Sequence, residues 1–304
     1  MTAGRRRLLL AALALGALPP AQAAPPEIVR FAPERDYGPF VFADDQGQVK
    51  GLSVDLLARL APAAGLQLQT LPPAPLAQQL ALLRAGGADL VSSLRPTPER
   101  AEYLAFTRPY VNVPAILVVR GTDAGVPQRA DGRAALQQLA GRAVAVGAGY
   151  AVEGFARERF PQVAWAPVPD DVQALQGVRD GRFHAAVVDA ASAAFITQRH
   201  RMGTLSSAGP VGFDYALSLA VPKARADLVQ RLDDAIVALP LQERSEIQQR
   251  WMGPLSGSAL MQPPWHRMAG WAAAWLAAAA LLLGVLWHRR RRRAAREADP
   301  PTLT

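Results

Sequence analysis

Between Asp89 and Tyr110 the chain reads DLVSSLRPTPERAEYLAFTRPY, which puts two hydroxyls (Ser92, Ser93), two guanidinium groups (Arg95, Arg100) and a potential helix cap (Thr97) close together. Thr97 can cap a helix whose first turn holds Glu99 and Arg100. An arginine is poorly placed there, because the backbone dipole is already positive at a helix start. Helix end, hydroxyls and guanidinium together make an anion site. Paired N–H donors match the two oxygens of a carboxylate, so a carboxylate or phosphate is the ligand chemistry this set serves. Residue chemistry alone leaves open a solvated or ion-paired surface arginine.

Other chemistries lack their residues. The chain has no cysteine, which excludes a thiol nucleophile, a disulfide scaffold and a zinc-thiolate site. His184, His200, His266 and His288 are scattered without ligand spacing, so neither metal nor cofactor is expected. Ser92 and Ser93 lie outside any Gly-x-Ser-x-Gly elbow. Asp44 and Asp45, before Gln46-Gly47, read as a hairpin turn rather than paired acids. Trp165 and Phe155 read as packing residues.

The elements that must position the anion site alternate. Short apolar runs at 28–31, 89–91, 115–119, 143–146, 185–188 and 217–221 predict buried strands. Helical spacing predicts helices over 52–61, 76–85, 152–159, 172–180 and 227–251, with Gly86-Gly87 stopping the second. This alternation predicts an α/β fold with mostly parallel sheets. With 304 residues the chain can bury a large core in roughly two domain-sized units.

The net charge of +8 resolves into the two ends. Arg5, Arg6 and Arg7 and the cluster Arg289 to Arg293 with Arg296, less Glu297 and Asp299, account for nearly all of it, leaving about +1 between them, so no nucleic-acid partner is expected. Arg5-Arg6-Arg7, the apolar residues 8–18, Pro19-Pro20 and Ala21-Gln22-Ala23 have the order of a secretory signal peptide over 1–23. Residues 268–287 carry no charge over a length that spans about 30 Å of hydrocarbon, with Trp265, Trp271 and Trp287 near the ends and arginines following at once. The expected organisation is a periplasmic solute-binding domain over 24–253, a linker over 254–267, one transmembrane helix over 268–287 and a cytoplasmic Arg-rich tail over 288–304. The protein is thus expected in the inner membrane, single-pass.

The Asp89–Tyr110 segment resembles the signature of the type II periplasmic solute-binding proteins of family 3, which runs strand, polar loop, Thr-Pro-Glu-Arg, then aromatic-Thr-x-Pro-Tyr. Tyr37-Gly38-Pro39-Phe40 is similar to the family's aromatic-x-Pro-Phe, and Gly51-Leu52-Ser53-Val54-Asp55-Leu56 to its Gly-Phe-x-x-Asp-Leu. The stretch from Asp180 to Asp189 resembles the second-lobe strand that ends on an acid. The likeness covers about residues 27–253, and the Asp89–Thr97 spacing with Pro96 resembles the membrane-tethered sensor branch.

The resemblance implies a two-lobed periplasmic-binding-protein type II fold with two crossing strands, lobe one over 27–119 and 216–253 and lobe two over 120–215. It implies that Arg100 holds a ligand carboxylate, aided by Ser92, Ser93 and the main chain at Thr97, that Tyr37 stacks on the ligand, and that Asp189 pairs with an α-ammonium. The loop Gly149-Tyr150-Ala151 departs from the family's Gly-Thr-Thr, leaving main-chain N–H groups and an extra ring. Arg95, where the family often has serine, points to an acidic or dicarboxylic ligand, or else to solvent or to a pair with Glu34 or Asp36.

Three functions follow from the resemblance. The first is a membrane-anchored sensor that clamps a small amino acid or organic acid and signals to a partner such as a histidine kinase or cyclase. The second is the anchored binding subunit of an ABC-type amino-acid permease. The third is a prephenate-type dehydratase.

Overall fold

The structure, a computed structural model, describes residues 25–121, 131–258 and 260–261. The expected signal peptide, transmembrane helix and Arg-rich tail lie outside these residues. Among the described residues no helix is long and apolar enough to cross a membrane.

The first part of the chain runs β1 (Glu27–Phe31), a small three-stranded sheet of β2 (Asp36–Tyr37), β3 (Val41–Ala43) and β4 (Val49–Lys50), then α1 (Leu52–Ala63), β5 (Leu66–Thr70), α2 (Leu76–Arg84), β6 (Val91–Leu94), the single turn α3 (Pro98–Ala101) and β7 (Leu104–Phe106). The long β8 (Val111–Arg120) leads to α4 (Gly132–Gln138), β9 (Ala143–Gly147), α5 (Ala151–Arg159), β10 (Ala164–Val168), α6 (Asp171–Arg179), β11 (Ala185–Asp189) and α7 (Ala190–Arg199). The chain returns through β12 (Leu205–Pro222) and ends in α8 (Asp227–Ala238) and α9 (Leu241–Met252).

β8 and β12 tie two lobes together. They run antiparallel beside each other, β8 pairing with β11 on its other side, while the far end of β12 pairs with β6 and β7. Strands β10, β9 and β11 are parallel, but every pairing of β8 and β12 is antiparallel, so the seven-stranded sheet is mixed rather than mostly parallel. The reason lies in the connections. A parallel neighbour needs a crossover helix, whereas β8 and β12 are the two direct passages between lobes and run in opposite directions.

The unbroken apolar runs of β8 and β11 follow from burial on both faces. Leu117, Val119 and Val187 belong to one core, and Ile116, Val118 and Val188 to the other, on the α6 and α7 side. Alternation disappears from the sequence when helices cover both sides of a sheet.

α1 buries Leu52, Leu56, Leu57 and Leu60, the stripe its spacing predicted. Its start depends on Gly51, whose φ of 132° lies in a region closed to side chains and whose Cβ would sit 2.2 Å from the Phe40 carbonyl oxygen. Gly51→Ala is therefore expected to cost roughly 3 kcal/mol, an adverse φ plus an overlap that two backbone segments cannot relieve. Thermal unfolding of the variant beside the parent measures it; an unchanged midpoint would contradict the argument.

The predicted helix over 227–251 is two helices. Pro240 cannot continue α8, and Leu239 before it is extended (ψ 121°), so the chain turns and restarts as α9. The expected 254–267 linker begins with structure. A 3-10 turn, Gly253–Leu255, docks on α7, Gln198 donates to the Pro254 carbonyl at 3.5 Å, and Leu255 and Leu260 are buried in the second core. Asp44 forms the turn foreseen for it, accepting from the Gln46 and Gln48 amides at 2.9 Å and pairing with Lys50 at 2.5 Å.

Candidate functional site: an interlobe cleft around Arg100

α3 is a single turn that exists through its cap. The Thr97 hydroxyl accepts from the Arg100 amide at 3.2 Å, and Pro98 supplies a preset φ at the first position. This turn aims Arg100 inward, where it is only 5% exposed. Its guanidinium donates at 2.7 Å to the carbonyl of Arg95, on its own lobe, and at 2.7 Å to the carbonyl of Gly149, in the loop between β9 and α5. One side chain thus bridges the lobes. Desolvation lowers its pKa, opposed by the nearby Tyr103 and Glu34, but a guanidinium stays charged in a protein.

A second bridge runs the other way. The Tyr150 hydroxyl donates to Glu34 Oε1 at 2.6 Å, and its ring meets Tyr37 edge-on with centroids 5.8 Å apart. Glu34 is buried, and desolvation raises its pKa to about 7 against the lowering effects of the Tyr150 hydrogen bond and Arg100. Farther along, Phe42 packs on Phe195 of α7 at 4.8 Å and Arg199 pairs with Asp45 at 2.5 Å. The lobes are closed on each other.

Arg100, Glu34, Tyr37, Tyr150, Ser93 and Tyr215 bound a central space of about 20 Å³. That is room for about one water molecule. Beyond Arg100 and Tyr150 a groove of about 630 Å³, lined also by Thr97 and Phe213, leads to the surface. Small-molecule sites need hundreds of cubic ångströms, so this is a shut cleft whose centre is filled by the Tyr150 ring.

Asp189 ends β11 and caps α7, its Oδ1 accepting from the Ser192 amide at 2.7 Å. It is fully buried and its Oδ2 has no hydrogen-bond partner. Desolvation raises its pKa to about 6, moderated by the Ser192 contacts and the Tyr37 hydroxyl that faces it. Asp171 opens α6 directly after the capping Asp170, whose Oδ1 accepts from the Gln173 amide at 2.8 Å. It is 1% exposed with neither oxygen partnered. Burial, then Asp189 and Glu34, push its pKa well above the ordinary carboxylate range. The hydroxyls of Tyr37 and Tyr215 also lack partners, and burial raises both.

Of the residues singled out from the sequence, Tyr37, Ser93, Arg95, Arg100 and Tyr150 line one space, Gly149 contributes its carbonyl, and Asp189 lies behind Tyr37. Ser93 has a left-handed backbone (φ 59°), unusual outside glycine. Its hydroxyl belongs to a buried trio with Ser53 (2.8 Å) and Tyr110, which also accepts from the Ser93 amide at 2.8 Å. Ser92 is buried beside it at 3.5 Å and does not line the space; Thr97 serves as the cap. Arg95 neither points to open solvent nor pairs with Glu34 or Asp36. Its guanidinium donates to the Asp214 carbonyl and lies 4.3 Å over the Phe213 ring.

Sequence reasoning missed Glu34 and Tyr215 as cleft residues. The only local signal was an acid three positions before Tyr37.

The model for bacterial extracellular solute-binding proteins, family 3, matches residues 29–254. The chain belongs to that family. These are binding proteins without enzymatic activity, which removes the dehydratase alternative. Among curated proteins the virulence sensor protein BvgS of Bordetella bronchiseptica is 28% identical over 227 residues, covering 74% of this chain but only 18% of the sensor's length. The L-cystine-binding protein TcyJ of Escherichia coli is 28% identical over 225 residues, 72% of this chain and 80% of that protein. Among solved structures, the BvgS periplasmic VFT2 domain of Bordetella pertussis superposes with a TM-score of 0.65 at 26% identity, covering 75% of this chain and 93% of that domain. The family's two-lobed fold and its role in binding solutes therefore hold for this chain.

Proposed function

We propose that the chain is a membrane-anchored periplasmic receptor whose lobes close on a small carboxylate-bearing solute, an amino acid or organic acid, and pass that closure to a signalling partner. The observation that carries the reading is Arg100, a buried guanidinium that reaches across the cleft and spends both of its side-chain hydrogen bonds on neutral carbonyls. A carboxylate is a better acceptor for paired guanidinium donors than two separate carbonyls, so a solute displaces them. Asp189 Oδ2, unpartnered across the cleft, receives the α-ammonium, and Tyr37 packs on the solute. Lobe one comprises about 27–119 and 216–253 and lobe two about 120–215. A leader over 1–23 exports the domain, and residues 268–287 anchor it.

The partner is a histidine kinase or cyclase, an assignment supported by the likeness to a virulence sensor. The cystine-binding relative, matched over most of its length, supports the second reading, in which the anchored domain serves an ABC-type permease. The test is a thermal-shift screen of the detergent-solubilised full chain against amino acids and organic acids, since a solute bound only by the native state raises the midpoint by mass action. A carboxylate solute is expected to raise it and its amide or ester analogue to leave it unchanged. Equal shifts from both would remove the proposed role of Arg100.

A further inference from the structure

Within a few residues of its end the domain passes from one lobe to the other. Arg250 and Trp251, in the last turn of α9, donate to Asp55 of α1 at 2.7 and 2.9 Å. Leu255 is already buried in the second core beside α7, where Gln198 donates to the Pro254 carbonyl at 3.5 Å, and Leu260 joins it there. Met261 packs against both cores. The helix that delivers this segment thus belongs to lobe one, while its leucines are seated on lobe two.

The lobes themselves meet at the same place. The Phe195 ring of α7 lies on Gly38, where a Cβ would come within 2.2 Å of it, and 4.8 Å from the Phe42 ring. Phe42 also meets Trp251 edge-on at 5.9 Å and lies under the Arg199 guanidinium at 5.2 Å, so one lobe-one ring touches both α7 and the turn that starts the segment. Parting of the lobes about β8 and β12 moves α7 relative to α1. Leu255 cannot then stay on α7 while Trp251 stays on α1, because the residues between them are wound into the end of α9 and the 3-10 turn. The leucines are the end that yields. Charge-assisted bonds to Asp55 hold Trp251 and Arg250, whereas the Gln198 bond is neutral and long.

We infer that the turn Gly253–Leu255, with Leu260 and Met261, is a strap that fastens lobe two to lobe one, so that opening of the cleft and undocking of its leucines from α7 are one event. This rests on the receptor reading only in taking the lobes to move. It names the element through which that movement leaves the domain, since the uncharged residues 268–287 begin seven positions after Met261. Coupling of two equilibria is reciprocal, so loosening the strap opens the lobes and opening the lobes loosens the strap.

The test reads both directions on the detergent-solubilised, unliganded full chain, which has no cysteine, so that labels go only where one is introduced. Spin labels at Gln78→Cys on α2 and Glu158→Cys on α5, exposed positions on the two lobes, report the distance between them. Leu255→Ser with Leu260→Ser is expected to lengthen that distance, and Leu241→Ser, at a 77% exposed position of α9, to leave it unchanged. No lengthening in the strap variant, or equal lengthening with Leu241→Ser, overturns the inference. The second arm makes a milder change and decides even if the double variant does not fold. Leu260→Cys, at a position 5% exposed, is expected to react with a maleimide about tenfold faster or more once Arg100→Ala has removed the tie to Gly149. Equal rates with and without Arg100→Ala overturn the inference, as does a rate in the Leu260→Cys chain that matches the urea-unfolded one. Neither arm uses a solute, so their failure leaves the carboxylate receptor standing, and a flat solute screen ends that reading without touching the strap.

Discussion

Arg100→Ala is expected to abolish the response of the chain to every carboxylate solute, an affinity loss of about thirtyfold or more. Removing one partner of a desolvated, hydrogen-bonded charge pair costs about 2–5 kcal/mol, and each 1.4 kcal/mol is tenfold in affinity. The position permits no substitute. Thr97 and Pro98 fix the turn that aims the side chain, and Arg95 is committed to the Asp214 carbonyl. Arg100→Lys keeps the charge but loses the paired donors, so it is expected to recover only part of the affinity. The unliganded chain feels the change too, because Arg100 ties its own lobe to Gly149. Small-angle scattering of the unliganded variant is expected to show a more open particle than the parent. Retained affinity in Arg100→Ala, with a native midpoint, would end the carboxylate reading.

What the sequence disclosed depended on how far each signal reached. Strands β8 and β11 and helix α1 were legible because a continuous apolar run or a 3.6-residue stripe is local, and burial on both faces or on one leaves a direct imprint. β12 was legible only over 217–221. Its first half contains Gly209, Pro210 and Gly212, where the register with β8 slips, and a strand that bends between lobes loses the alternation that marks a straight one. Arg100 could be found because its surroundings are written in consecutive residues. The acid cluster could not. Glu34 follows β1, whereas Asp171 opens α6 and Asp189 ends β11, more than a hundred residues further on, and only closure of the lobes brings Glu34 into the same electrostatic problem. In isolation Asp189 reads equally well as a helix cap, and the structure gives it both lives: one oxygen caps α7 and the other is left over.

That cluster also sets a pH dependence with an unusual sign. Glu34 and Asp189 are pushed up to about 7 and about 6, chiefly by desolvation, so the closed native state holds protons that the unfolded chain releases near pH 4. Where the native state binds more protons, stability falls as pH rises. The contribution is therefore complete below about pH 4 and lost progressively up to about pH 7, at most roughly 3 kcal/mol for each group. Acids with depressed pKa values, such as Asp44 and Asp89, act in the opposite sense but only at lower pH, where protonation removes their pairing with Lys50 and Arg30. Between pH 5 and pH 8 the cleft acids dominate, and the unliganded chain is expected to unfold several degrees lower at pH 8 than at pH 5. Glu34→Gln is expected to flatten that slope, since an amide keeps the shape and a hydrogen bond to Tyr150 without a charge to bury. Opening of the lobes relieves the same penalty without unfolding, so part of the effect is expected as expansion in small-angle scattering at pH 8. A midpoint that climbs from pH 5 to pH 8 in the unliganded chain would show that these carboxyls are solvated, and with that the closed cleft itself would fall.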